Sequence, residues 1–393
     1  MVDVCFYFQV HQPYRLRRYP VFDIGSSHGY FNDQKNEEII KKVAKKCYIP
    51  ANKLILDLIN ETKGKFRVSY SITGVALEQF EAHCPEVIES FKKLVETGCV
   101  EMLDETYYHS LSFLYSKKEF EKQVKMHKKK INELFKFKPK IFRNTELIYN
   151  NELAVFAENM GYKGILAEGA DHILGWRSPN FIYRPKASKI GLLLKNYRLS
   201  DDIAFRFGEK GWEGYPLTAP KFAQWVNKIN GNGNIVNLFM DYETFGEHQW
   251  EDKGIFDFLK HMPKEILKHP DNNFITPSEA VKKHKPVAEL DIRHSVSWAD
   301  IERDLSAWCG NKMQQEALKH LYLLENKVKN AKNKKLIEDW RKLQISDNFY
   351  YMCTKWFNDG DVHKYFNPYE SPYDSFIAFM NILNDFVIRL ENK

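Results

Sequence analysis

The sequence predicts an α/β fold, in which a parallel sheet with helical crossovers is followed by a helical region. Short apolar runs that end in polar residues recur up to about residue 290, and segments with helical spacing separate them. Buried strands that alternate with helices form parallel sheets with right-handed crossovers. Seven or eight such units favour closure into a barrel, and an open doubly wound sheet is the alternative.

Each predicted strand is followed by a polar residue. In chain order the strands are VCFYFQV before His11, FRVSYSI before Thr73, CVEML before Asp104, KIFR before Asn144, GILA before Glu168, LLLKNYRL before Ser200, IVNLFM before Asp241, and the weaker FIT at 274–276. Helical spacing is found in the segments 36–61, 85–97, 117–136 and 151–160. No glycine-rich phosphate-binding motif follows any strand, so a nucleotide-binding fold has no support.

The pattern changes after about residue 290. Residues 299–343 are rich in Leu, Lys, Glu and Gln without any Pro, and 372–391 is a second helix-like run. We therefore predict a barrel domain over residues 1–290. A helical domain over residues 291–393 is predicted to pack on the barrel and to contribute to its cleft.

Composition argues against several classes of function. The formal net charge of +6 is small for 393 residues, and the dense basic run at 125–130 lies in a helical segment, which favours a solvated helix face over nucleic-acid binding. No apolar run approaches the roughly 20 residues that span a membrane. The six cysteines form no C-x-x-C pair, and the N-terminus lacks signal-peptide features, which together favour a cytoplasmic location.

Several acids stand where a parallel barrel places functional groups, at the C-terminal ends of strands. These ends carry His11, Asp104, Glu146 and Asp241, and Glu101 lies within the third predicted strand. Strand alternation puts two sets of residues on common faces, namely Asn237, Phe239 and Asp241 in one strand and Tyr7, Gln9 and His11 in another. The acids are far apart in sequence, but we expect them to converge in space.

Two carboxyl groups that face one cavity suit glycoside hydrolysis. One attacks the anomeric carbon or activates water, and the other protonates the leaving oxygen. The protonated partner needs a raised pKa, which burial and a neighbouring anion provide. On this argument alone, the acids could equally bind a metal or be structural.

Five motifs, in order along nearly the whole chain, resemble those of glycoside hydrolase family 57. They are HQPY at 11–14, GCVEMLDETYYHSL at 98–111, FRNTELIY at 142–149, MDYETFGEHQW at 240–250 and LQISDNFYYMCTKW at 343–356. A further stretch, SWADIERDLSAWCGN at 297–311, resembles the branch of that family known as α-amylases.

The resemblance implies an incomplete (β/α)7 barrel, a helical region after it, and a retaining mechanism on α-glucans or maltooligosaccharides such as starch and glycogen fragments, with no cofactor or metal. The family nucleophile falls on Glu146 and the acid/base on Asp241. The NTELIY context of Glu146 replaces the proline-glutamate-cysteine context of many members and fits the α-amylase branch. Glu243 is expected to hold a hydrogen-bond network or a sugar hydroxyl.

Other residues carry both a functional and a structural interpretation. His11 and Asp347 are predicted to border the sugar beside the scissile bond. Glu101 is predicted either to brace His11 or the nucleophile or to be a structural acid, and His109 to be a site residue or a satisfied core histidine.

Aromatic residues are candidates for sugar-stacking surfaces. Three tryptophans are predicted to stack against glucose units in the subsites, although any one of them could belong to the core. They are Trp250, Trp298 and Trp308. Trp176, on a predicted loop, is a candidate acceptor-side aromatic. The acids of the 297–311 motif, Asp300, Glu302 and Asp304, are predicted to form the first turn of a helix.

Three rival functions remain open from the sequence. A 4-α-glucanotransferase would use the same site and differ only in its acceptor. A metal-dependent polysaccharide deacetylase would need a histidine pair at ligand spacing, and no H-x-x-x-H or H-x-x-E-H is present. A non-catalytic glycan-binding protein would be favoured if Glu146 or Asp241 were replaced.

Overall fold

The computed structural model describes residues 1–355 and 367–392. Its strands are β1 (Asp3–Val10), β2 (Val68–Ile72), β3 (Val100–Met102), β4 (Ile141–Phe142), β5 (Gly164–Glu168), β6 (Arg184–Pro185), β7 (Gly191–Lys195), β8 (Ile235–Asp241), β9 (Asn273–Phe274) and β10 (Glu289–Leu290). The helices of the first part are α1 (Asp33–Val43), α2 (Ile49–Glu61), α3 (Gly74–His83), α4 (Pro85–Glu96), α5 (Ser112–Tyr115), α6 (Lys117–Phe135), α7 (Asn151–Asn159), α8 (Asp171–Leu174), α9 (Tyr197–Ala204), α10 (Ala219–Asn227), α11 (Ile255–Leu267) and α12 (Pro277–Lys283). Those of the last part are α13 (Ser306–Cys309), α14 (Lys312–Leu323), α15 (Glu325–Asn330), α16 (Lys334–Lys342), α17 (Asp347–Tyr350) and α18 (Pro372–Glu391).

The long strands pair in parallel and form two sheets. One sheet has the order β3-β2-β1-β8, with β9 beside β1, and the other has the order β4-β5-β7. A parallel bridge from Asp104 to Phe142 joins them on one side. On the other side the Asn237 side chain donates to the Leu194 carbonyl at 2.8 Å, without a continuous ladder. The predicted α/β fold is confirmed, and the unclosed sheets agree with an incomplete barrel.

Strand alternation sorts the side chains of the barrel into an inner and an outer set, as predicted. Tyr7 of β1 and Phe239 of β8 meet inside the barrel, with ring centroids 5.5 Å apart. Phe6 and Phe8 point the other way and pack against the helices. Because both faces are buried, the strands read as nearly continuous apolar runs. The inner face becomes polar toward the C-terminal end, where Gln9 precedes His11.

The helical region packs as its own cluster. Trp308, Trp340 and Phe386 are fully buried there, with helix α18 packed on α14. Loop residues from the first part, such as Tyr19 and Tyr30, belong to the same cluster and attach it to the barrel. The division into domains at residue 290 stays a prediction, and the predicted helical domain includes residues outside the described ones.

Some predicted elements differ from the structure. The run LLLKNYRL ends as a strand at Lys195, because the Asn196 side chain accepts from the backbone N–H of Leu199 and starts helix α9. Residues 299–305 are not helical, and the first helix of this stretch begins at Ser306. The last residue of the 343–356 motif, Trp356, lies outside the described residues. Within those residues, no helix combines the length and apolar character needed to cross a membrane.

Candidate active site

A deep pocket opens at the C-terminal ends of the parallel strands. Glu146 and Asp241 both line it, together with His11 and Lys195. The helical region supplies Trp298, Asp300, Asp347, Tyr350 and Tyr351 to its wall. Its empty space is about 1150 Å³ including the open mouth.

Glu146 is held in a strained turn. It lies in the short 3-10 segment Thr145–Leu147 after β4, with φ 56° and ψ 26°, and Leu147 beside it has φ 51°. Left-handed backbone costs a residue with a Cβ on the order of 1–3 kcal/mol and persists only where surrounding contacts impose it. Such strain at a buried carboxylate is typical of a side chain that must be aimed.

Three donors converge on the Glu146 carboxylate. Trp298 donates from Nε1 to Oε2 at 2.7 Å, and His109 contacts Oε1 through Nε2 at 3.1 Å. Ser346 donates to the same Oε1 at 3.4 Å. The backbone N–H of Trp298 also donates to the Glu146 carbonyl at 3.2 Å. These contacts fix both the turn and the carboxylate within the pocket.

His109 stands between two carboxylates. Its Nδ1 contacts Glu105 Oε2 at 3.1 Å, and its other nitrogen contacts Glu146. Burial alone would lower the pKa of His109, but the hydrogen bonds to Glu105 and Glu146 raise it to about 9. Burial would raise the pKa of Glu105, but the hydrogen bond and charge of His109, with the charge of Arg143, lower it to about 2. These opposite pKa shifts favour the protonated His109 ring and the ionised Glu105 carboxylate.

His11 is a neutral partner stacked on His109. Their ring centroids are 4.0 Å apart and the planes differ by 25°. Burial, and then the nearby His109 charge, lowers the pKa of His11 to about 4. Its Nε2 lies 3.0 Å from Asp347 Oδ2 and its Nδ1 lies 2.9 Å from Thr73 Oγ1. Since a carboxylate only accepts, neutral His11 donates from Nε2 to Asp347 and accepts at Nδ1 from Thr73.

Asp241 ends strand β8 and faces the pocket, opposite Gln9 of β1 in the strand register. Glu243 follows in the short turn Tyr242–Thr244 and is buried. Burial, and then the negative charge of Asp241, raises the pKa of Glu243 to about 8. Glu243 accepts hydrogen bonds from Tyr48 and from Gln12. The raised pKa favours the neutral form of the Glu243 carboxyl group, next to Asp241.

A buried charge cluster, which the sequence analysis did not predict, reaches the pocket through Lys195. Lys195, the last residue of β7, contacts Asp201 Oδ1 at 2.8 Å and Glu168 Oε2 at 3.8 Å. Arg303 contacts Glu168 at 3.5 Å and Asp201 at 3.3 Å. The Lys195 ammonium also lies 5.5 Å from the centroid of the Trp298 ring. The position of Lys195 at a strand end was the available signal, but the strand was predicted to run past it.

Three of the predicted substrate-binding residues, His11, Trp298 and Asp347, line the pocket. Trp250 does not line it. Its side chain is 46% exposed, and its ring centroid lies 5.9 Å from the Lys46 ammonium and 5.7 Å from that of Lys253. Contact between any of these four residues and a sugar stays a prediction.

Glu101 and Trp308 lie outside the pocket. The Glu101 carboxylate accepts from the backbone N–H of Ser278 at 2.9 Å, in the first turn of helix α12, so it braces neither His11 nor Glu146. Burial raises its pKa. Trp308 is fully buried in the helical region, so its ring offers no face to a sugar. The positions of these residues along the chain could not show that they lie outside the pocket.

The other predicted residues differ in placement. Asp300 is not helical: it has φ 54°, lines the pocket and pairs with Lys355 at 2.9 Å. Asp304 accepts from the backbone N–H of Ser306 at 2.8 Å, at the start of α13. Trp176 is 89% exposed, with the Arg177 guanidinium 5.1 Å from its ring centroid. Its use by an acceptor sugar stays a prediction.

No group of three or more His, Cys, Asp or Glu side chains arranged to hold a metal ion is found between residues 1 and 355 or 367 and 392. All six cysteines are free thiols.

Comparisons with known proteins agree with this architecture. The sequence model described as Glycosyl hydrolase family 57 matches residues 5–293. A protein of Methanocaldococcus jannaschii, whose alpha-amylase name is provisional, is 47% identical over 397 aligned positions, which cover 98% of this chain and 84% of the relative.

Two solved structures share the fold. A branching enzyme of Pyrococcus horikoshii has a TM-score of 0.68 at 16% identity, covering 90% of this chain and 86% of that one. A 4-alpha-glucanotransferase of Thermococcus litoralis has a TM-score of 0.67 at 15% identity, covering 88% of this chain but only 56% of that one. At these identities the likeness concerns the fold alone.

Proposed function

The chain belongs to glycosyl hydrolase family 57, and from this premise we propose that it cleaves α-1,4-glucosidic bonds of α-glucans with retention. Glu146 acts as the nucleophile and Asp241 as the acid/base. The observation that carries the proposal is the strained, buried Glu146, held by His109 and Trp298 in the pocket that Asp241 lines. A nucleophile must be precisely aimed, and these contacts fix the Glu146 carboxylate in the pocket.

The proposed reaction has two steps. In the first, Glu146 attacks the anomeric carbon while Asp241 gives its proton to the leaving glycosidic oxygen, which forms a glycosyl-enzyme. In the second, Asp241 takes a proton from water, and the water displaces Glu146 with a second inversion. His11, Asp347 and Trp298 line the same pocket, and we propose that they contact the sugar.

Hydrolysis and transfer share the first step, because water and a sugar hydroxyl compete for one glycosyl-enzyme. We propose hydrolysis as the main outcome, since the relative at 47% identity carries the alpha-amylase name. The physiological glucan is proposed to be a starch- or glycogen-type polymer or a maltooligosaccharide. The cytoplasmic location stays a prediction.

The two carboxyl roles are tested by chemical rescue. In Glu146→Ala, azide enters the space of the missing carboxylate and attacks an activated maltooligosyl fluoride directly. We expect a β-glycosyl azide, the product of a single inversion. In Asp241→Ala, the glycosyl-enzyme still forms from the fluoride, and azide then gives the α-glycosyl azide by double inversion.

A matched control is Glu119→Gln. Glu119 is a fully buried carboxylate outside the pocket that pairs with Arg341 at 2.7 Å and Lys329 at 3.0 Å. The activity of Glu119→Gln shows how much the removal of a buried charge affects the protein in general. Rescue products with the opposite anomeric configurations would exchange the roles assigned to Glu146 and Asp241. Full activity of Glu146→Ala without azide would show that Glu146 is not the nucleophile.

A further inference from the structure

We propose that Glu105 is a positioning residue for the reaction: its buried carboxylate holds His109 as an imidazolium, and this charged donor keeps Glu146 ionised and oriented. The inference about Glu146 rests on the proposed function, whereas the charge state of His109 does not. Glu105 does not line the pocket and acts only through His109.

The hydrogen-bond geometry of His109 requires two donors. Both ring nitrogens lie 3.1 Å from a carboxylate oxygen, Glu105 on one side and Glu146 on the other. An ionised carboxylate only accepts, and a neutral imidazole has one N–H. A neutral ring would therefore point a nitrogen lone pair at an oxygen lone pair in a site with almost no exposure to solvent. A doubly protonated ring satisfies both contacts.

The surroundings of Glu105 place the extra proton on the ring rather than on this acid. Gln9 Nε2 donates to Glu105 Oε1 at 3.0 Å, and the Arg143 guanidinium lies 3.7 Å from Oε2. Glu105 and Arg143 are both fully buried. An amide donor and a guanidinium charge each stabilise the ionised carboxylate. The charges then alternate from Arg143 through Glu105 and His109 to Glu146.

The ring stacked on His109 carries no second positive charge. The two hydrogen bonds of His11 fit a neutral ring, which donates from Nε2 to Asp347 and accepts at Nδ1 from the Thr73 hydroxyl. It therefore fixes the plane of the His109 ring without repelling it. The charged and titratable groups that face His109 are Glu105 from its own segment, Glu146 and Arg143 from the segment after β4, and His11 from the end of β1.

The first test is a histidine titration of the intact wild-type protein by nitrogen-15 NMR. The chain has 13 histidines, and the His109 signal is identified by its loss in His109→Gln. We expect His109 to be doubly protonated at pH 7 and to lose its proton near pH 9. A neutral His109 at pH 7 would overturn the proposal without any need for a folded Glu105 variant.

The second test is the same titration in Glu105→Gln, with Glu119→Gln as the control for loss of a buried charge. Removing an opposite charge in direct contact shifts a pKa by about 1–3 units. We expect the His109 midpoint to fall by at least about one pH unit in Glu105→Gln and to stay in place in the control. An unmoved midpoint in Glu105→Gln, or an equal fall in both variants, contradicts the role of Glu105.

The third test links His109 to the reaction. His109→Gln keeps a hydrogen-bond donor toward Glu146 but removes the charge of the ring. With a maltosyl fluoride, whose leaving group needs no proton from Asp241, we expect the acidic limb of kcat/KM to move up by about one pH unit. If the acidic limb of the kcat/KM profile does not move in His109→Gln, the charge of His109 does not affect Glu146. Full activity of Glu146→Gln would instead refute the proposed nucleophile and leave the titration results standing.

Discussion

Replacement of Glu243 by Gln should make the protein more stable at alkaline pH. Burial and the nearby Asp241 raise the pKa of Glu243 from 4.5 to about 8. A carboxyl group whose pKa is raised on folding favours the folded state fully below pH 4.5, and this contribution is lost as pH rises through 8. Glutamine resembles the protonated acid in shape and stays neutral, so the variant should escape the loss.

The size of the effect follows from the shift. A difference of 3.5 pKa units, from 4.5 to about 8, at about 1.36 kcal/mol per unit corresponds to about 5 kcal/mol once the pH exceeds 8. Between pH 5.5 and pH 8.5 the advantage of the variant should grow by about 3 kcal/mol. This exceeds the usual effect of a single substitution, which is about 0.5–3 kcal/mol.

The assay is equilibrium unfolding in urea at pH 5.5, 7.0 and 8.5 for wild type and Glu243→Gln. The matched control is Glu96→Gln, on the exposed side of helix α4. The difference between Glu243→Gln and wild type should increase steadily with pH, and that between Glu96→Gln and wild type should not. If Glu243→Gln and wild type respond alike to pH, Glu243 is not held neutral and the reasoning fails.

Three further predictions concern other residues. Trp298→Phe loses the 2.7 Å hydrogen bond to Glu146, which contributes about 1.5–3 kcal/mol for a charged partner. The value of kcat/KM should therefore fall about 10- to 150-fold, and an unchanged value would show that Trp298 does not orient Glu146. Trp308→Ala should lower the free energy of unfolding by about 3–5 kcal/mol, because the ring is fully buried; calorimetry showing a loss below about 1 kcal/mol would contradict its packing. Glu101→Gln should change the unfolding midpoint but leave KM within about twofold, because the Glu101 carboxylate bonds Ser278 outside the pocket. A large rise in KM would show that Glu101 takes part in substrate binding.

Much of the fold could be predicted because its signals are local. Apolar runs bounded by polar residues located β1 and β8, and helical spacing located α4 and α18 to within about a residue. The end of β7 was misplaced because the cap formed by Asn196 has no apolar signature. The segment before α13 was predicted as helix because its composition is helical, although its backbone is irregular.

The site could be predicted only in part because its contacts are long-range. Strand ends and motifs located Glu146, Asp241 and His11, since a parallel barrel gathers such residues on one rim. The role of Glu105 depends on a contact with His109, and that of Lys195 on a pairing across the pocket. The spacing of residues along the chain does not show where a loop side chain points. It also does not show which partner a charged residue pairs with.

The most direct test of the central claim uses maltoheptaose, with products resolved by chain length. Wild type, Glu146→Gln and Glu119→Gln are compared, and a parallel wild-type reaction contains EDTA. We expect wild type and Glu119→Gln to release only shorter chains, Glu146→Gln to release none, and EDTA to change nothing. Products longer than the substrate would assign transfer as the main activity. Equal product formation by Glu146→Gln and wild type would contradict Glu146 as the nucleophile.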